Sequence, residues 1–171
     1  IPFWQWGHIS ARYVPIVICP RCHILQTTRT IVNKSNLTIV DSTNDKKGMI
    51  YNKQTTVIDT QNTLHVVNGV IQSDNGNGIN GYTNTSSITI DEGVTVKGIT
   101  AINTTPTEYT INVTNASILG STNGIVATGT SSTITVSGST VTGTNGNGIE
   151  TRAYATLTIR NSSVTAKTDA V

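Results

Sequence analysis

Charge is scarce in this chain. Asp, Glu, Lys and Arg make up 12% of its 171 residues, about half the ~25% usual in soluble globular domains. The densest cationic stretch is Lys46-Lys47, and the net charge is only +2. Proteins that neutralise nucleic-acid phosphates gather Lys and Arg on one surface, so no nucleic-acid partner is expected. No run of 18 apolar residues occurs, so no membrane-spanning helix is expected. Cysteine is limited to Cys19 and Cys22. They lie too close together to staple the body of a fold, which must then rest on hydrogen bonding and packing. Aromatics are also few, and the only Phe and both Trp (Phe3, Trp4, Trp6) fall near the start.

Thr, Ser, Asn, Val and Ile fill the space left. Disordered segments tend to be highly charged and poor in β-branched residues, whereas this composition suits pleated, half-buried strands. The order is repetitive. Apolar–polar–apolar triplets occur at Leu37-Thr38-Ile39, Leu64-His65-Val66, Ile88-Thr89-Ile90, Ile111-Asn112-Val113, Ile134-Thr135-Val136 and Leu157-Thr158-Ile159. Their starts are 27, 24, 23, 23 and 23 residues apart. A second apolar segment follows each triplet from Leu64 on, at Val70-Ile71, Val94-Thr95-Val96, Ile118-Leu119, Val141 and Val164. A third follows at Ile79, Ile102, Ile125 and Ile149, and Asn-Gly precedes it in three of these four cases. Asn and Gly tolerate positive φ and so mark corners.

Each repeat therefore reads as three short strands joined by tight bends. Alternation within the triplets has period 2, one face in and one face out. No window past residue 30 sustains a helical apolar stripe. One such coil cannot bury its own apolar face, but stacked coils bury a continuous column. The expected fold is all-β: a right-handed parallel β-helix of about 23–24 residues per coil, six coils giving a rod roughly 25–30 Å long. An antiparallel sandwich would also use Asn-Gly turns, but has no reason to hold a 23-residue period in phase. The organisation expected is an N-terminal arm, cap or anchor over residues 1–30 and a repeat domain over 31–171. A polar loop, Asp41 to Gly48, interrupts the first coil. No closing cap follows Val164, and an open stack end calls for a partner or a further segment to cover it.

Candidate sites are sparse. Phe3, Trp4 and Trp6 suit either an anchor, since aromatics are enriched at interface cores, or a cap on the apolar column. Cys19-Pro20-Arg21-Cys22-His23 has the spacing of a local disulfide, of half a zinc site with His8 or His23 as further ligands, or of a redox motif. A second Cys pair is missing, and no cofactor is expected. Hydrolysis of glycosidic bonds needs converging carboxylates, and the acidic residues are dispersed. Glu150, near Arg152 and Tyr154, is the one acid–base neighbourhood, with Tyr82 as an additional aromatic for a carbohydrate groove. His65 reads as an outward substitute for Thr. Asp74-Asn75-Gly76-Asn77-Gly78 is oxygen-rich but lacks the closing Glu of a calcium loop. Seven Asn-x-Ser/Thr sequons occur, at Asn33, Asn36, Asn84, Asn103, Asn112, Asn115 and Asn161.

Stretches such as Asn62-Thr63-Leu64-His65-Val66-Val67-Asn68-Gly69-Val70-Ile71 and Ser132-Thr133-Ile134-Thr135-Val136-Ser137-Gly138-Ser139-Thr140-Val141 resemble pectin-lyase-like β-helix repeats. These are similar to repeats in bacterial surface and autotransporter-type adhesins, and in phage fibres, tailspikes or capsid decorations. The resemblance covers about residues 31–166. No catalytic motif of that group is matched, so no functional residue is carried over. It implies a non-enzymatic virion or cell-surface structural protein, localised on the particle or outside the cell. Other structural proteins of an assembly, host-surface glycans and further copies of the chain are the partners it implies. A carbohydrate-binding or polysaccharide-cleaving protein on the same fold is the alternative.

Overall fold

A computed structural model describes residues 31–41, 48–84, 86–105, 107–152 and 154–171 in full, and the backbone of strands Val14–Ile18 and His23–Gln26. All the regular structure described is β, and every strand pairing is parallel. The result is a parallel β-solenoid of about six turns, built on three faces.

The first face is a seven-stranded sheet. It stacks Val14–Ile18, Leu37–Asp41, Leu64–Val66, Ser86–Ile90, Tyr109–Thr114, Thr133–Ser137 and Thr156–Arg160 in chain order. All six sequence triplets pair in register: Leu37, Leu64, Ile88, Ile111, Ile134 and Leu157 form one column, and Ile39, Val66, Ile90, Val113, Val136 and Ile159 another. The second face carries Ile50, Ile71, Val96, Ile118, Val141 and Val164 in line. The third carries six isoleucines, Ile31, Ile58, Ile79, Ile102, Ile125 and Ile149. The second and third faces make one eleven-stranded sheet, because Thr95–Thr104 and Ser117–Ala127 run through the corner between them. Their mutual register slips between Gly98 and Thr100, where the chain turns.

These columns form the core. From Ile39 to Val141 nearly every inward Ile, Leu and Val is shielded from solvent, while Leu157, Ile159 and Val164 at the last coil remain partly open. Stacking like on like suits β-branched side chains, whose stiff χ1 matches the pleat.

The bend between first and second faces repeats with the same backbone. Gly69, Gly93, Asn115, Gly138 and Asn161 succeed one another there, at φ of +99°, +77°, +47°, +59° and +47°. Only Gly, and Asn among ordinary residues, adopt this left-handed region readily. Just beyond it, serines satisfy the buried backbone: Ser139 Oγ accepts the Ala116 N–H at 3.1 Å, and Ser162 Oγ accepts the Ser139 N–H at 3.1 Å. On the third face a polar file runs coil to coil. Asn103 donates to Asn80 Oδ1 at 2.6 Å, and Asn80 donates to Asp59 Oδ1 at 3.4 Å.

The stack reaches upstream of the boundary drawn at residue 30. Val14–Ile18 pairs with Leu37–Asp41, and His23–Gln26 pairs with Met49–Asn52. Pro15, which has no N–H to donate, sits in the outermost described strand of the first sheet, where proline is tolerated.

Candidate functional site

The outward column of the first face reads Thr38, His65, Thr89, Asn112, Thr135 and Thr158. It is flat and half-buried, as a ladder of short polar side chains should be. His65 does more than replace a Thr: its Nε2 lies 2.6 Å from Asp91 Oδ2, with both side chains a little over one third exposed.

The second face is the more featured one. Its outward column is Tyr51, Gln72, Lys97, Leu119, Thr142 and Thr165. Asp74 lies just past the strand end, exposed. The Tyr51 hydroxyl donates to Asp74 Oδ2, and Gln72 Nε2 donates to Oδ1 at 3.4 Å. The hydrogen bond to this carboxylate raises the Tyr51 pKa, with smaller contributions from desolvation and from the carboxylate's charge. The Asp74 carboxyl group is thus held by two donors from successive coils. Beside it a shallow groove of about 320 Å³ crosses four coils, lined by Gln72, Asp74, Lys97, Leu119, Ser121 and Thr144 among others. The groove offers one fixed acceptor, one ammonium, two hydroxyls and an apolar floor at Leu119. Among the described residues its lining holds a single carboxylate, Asp74, whereas glycosidic hydrolysis uses a pair.

A second depression lies at the opposite corner, lined by Ser86, Ser87, Glu108, Tyr109, Thr110 and Ser131. Tyr109 is 2% exposed there, and burial pushes its hydroxyl up to about 12, with neighbouring Thr60 acting the other way. It is a core residue that happens to reach the rim.

The residues expected to form a carbohydrate site are placed as follows. Glu150 is half-buried on the third face, in line with Asn80, and accepts a hydrogen bond from Asn147 Nδ2 at 3.2 Å. Arg152 is exposed and forms no ion pair with Glu150. Tyr154 stands 88% exposed at φ +69°, on a turn closed by Ala155 N–H to Arg152 O at 3.2 Å. Tyr82 belongs to the corner three coils before Arg152, roughly 14 Å away at the ~4.8 Å strand spacing. Tyr82 therefore does not close on the other three. No group of three His, Cys, Asp or Glu suited to a metal occurs among the described residues. Phe3, Trp4, Trp6, Cys19 and Cys22 lie outside the described residues, as does the side chain of His23.

No family model, curated protein or solved structure matches the chain.

The Tyr51–Asp74 contact had one signal in the sequence. Aligning Ile50 with Ile71 sets Tyr51 beside Gln72 and Asp74 two positions on. The interval there is shorter than the 23-residue period, which hides it.

Proposed function

We propose that this chain is a non-enzymatic structural protein of a virion surface, a decoration or fibre-like rod that holds polar faces away from an anchor. The observation that carries the reading is the unbroken registry of four apolar columns through the stack, two on the first face and one on each of the others. Coils locked to their neighbours along their whole length make a stiff spacer, and stiffness is what a displayed rod needs. A bacterial cell-surface adhesin would use the same property. In this reading Phe3, Trp4 and Trp6 dock the rod on other structural proteins or on further copies of the chain. Light scattering on the full chain and on a Trp4→Ser/Trp6→Ser double variant tests it. A defined oligomer that falls to the 18.1 kDa monomer in the variant is the expected result. A monomer in both forms would sink the docking model.

The groove on the second face supports a second reading, recognition of a host-surface glycan. Asp74, fixed by Tyr51 and Gln72, would accept sugar hydroxyls, and Lys97, Ser121 and Thr144 would add polar contacts. Losing a charge-assisted acceptor costs about 1.5–3 kcal/mol, so Asp74→Ala should weaken glycan-array binding at least tenfold. Equal binding by the variant would remove the groove from consideration.

A further inference from the structure

The bend Asn75-Gly76-Asn77-Gly78 recurs as Asn145-Gly146-Asn147-Gly148. The two copies are matched in most respects. Asn75 and Asn145 are both exposed, and each donates through Nδ2 to a carbonyl of the preceding coil, Lys53 O at 2.9 Å and Ser121 O at 2.8 Å. They differ at the glycine that follows. The Gly76 N–H donates to Ser73 Oγ at 2.9 Å. The residue at the corresponding place in the other copy is Gly143, which has no hydroxyl, and the Gly146 N–H donates no hydrogen bond among the described residues. Ser73 is in effect a lock that the later bend lacks.

We propose that the Asn145–Gly146 peptide is a site of spontaneous deamidation and isomerisation. The backbone nitrogen of Gly146, giving up its proton, bonds to Cγ of Asn145. The Cγ–Nδ2 bond breaks and ammonia leaves, which closes a five-membered imide. Water then opens the ring at either carbonyl, giving aspartate or isoaspartate. One water is consumed, one ammonia is released, and nothing is oxidised or reduced. The reaction needs a nitrogen free to lose its proton and approach Cγ, and no side chain on the following residue to block that approach.

The other five Asn-Gly pairs fail one of these conditions. The N–H groups of Gly78, Gly124 and Gly148 donate to Thr100 O, Asn147 O and Asp169 O at 3.2, 3.0 and 2.9 Å. Asn80 is 7% exposed within the strand Ile79–Gly81. Asn68 is 4% exposed, and its amide is bridged to both the N–H and the C=O of Asp41.

The product changes the corner. A carboxylate at position 145 cannot donate to Ser121 O and sets a negative charge against that carbonyl, so the modification removes one side-chain bond between two coils that strand pairing still holds together. The test is to incubate the full chain at mildly alkaline pH and follow every Asn-Gly peptide by mass spectrometry with isoaspartate labelling. Asn145 should react at least about tenfold faster than Asn75, a barrier difference of about 1.4 kcal/mol. Ser73→Ala should raise the Asn75 rate towards that of Asn145 and leave Asn145 unchanged. Equal rates at Asn75 and Asn145 in the unaltered protein would overturn the proposal, as would a uniform rate across all seven pairs.

Discussion

Gly120→Ala is expected to lower the melting temperature by about 6–12 °C, for a cost of about 3 kcal/mol in a chain of this size. An added Cβ at this position would lie 1.7 Å from Asn123 O and 2.3 Å from Asn123 C. Both atoms are backbone of the same strand, Ser117–Ala127, where it turns from the second face into the third. Backbone locked between two paired coils has no free direction in which to yield. Gly98 and Gly143 hold the same place in the neighbouring coils, and Gly143 would put its Cβ 1.9 Å from Asn147 O. In the last coil the aligned residue is Ala166, so the column excludes a methyl group only where the chain doubles back so tightly. Thermal unfolding followed by circular dichroism gives the answer, and a midpoint within about 2 °C of the parent would show that the corner opens freely.

Ile102→Ala should cost about 2–5 kcal/mol, the range for deleting a fully buried aliphatic side chain. Ile102 is wholly shielded and lies between Ile79 and Ile125 in the isoleucine file. Each coil touches only its neighbours in a solenoid, so a cavity in the middle weakens the joint between two halves of the stack. Leu157→Ala makes a useful contrast, since Leu157 is partly exposed in the last coil and should lose less than half as much. Urea unfolding of the two variants compares them. Equal losses would contradict a stack held by nearest-neighbour contacts.

Much of this architecture was legible because β-branched residues recur in phase. The triplets from Leu37 to Leu157 set the first face, and the isoleucines from Ile79 to Ile149 set most of the third. What escaped the reading had specific causes. Ile31 and Ile58 belong to the isoleucine file, but the loop after Asp41 shifts the spacing there and breaks the phase. Val14-Pro15-Ile16 pairs with Leu37-Thr38-Ile39, one 23-residue period upstream. Proline marks that segment as strand-breaking, a signal that loses its force in an outermost strand. The Tyr51–Asp74 contact joins residues of adjacent coils, and the His65–Asp91 pair does the same. Both depend on a register that composition cannot supply. Glu150 and Arg152 are near in sequence but lie on a strand and the turn after it, so nearness in sequence did not become an ion pair.

The left-handed bend that recurs from Gly69 to Asn161 makes each coil interchangeable with the next at its joints. A whole coil is then the natural unit of insertion or loss, because its removal leaves the bends above and below able to meet. On the proposed reading as a rigid spacer, the stack is a ruler graduated in steps of ~4.8 Å, whose reach changes by copying or dropping single coils while both ends stay as they were.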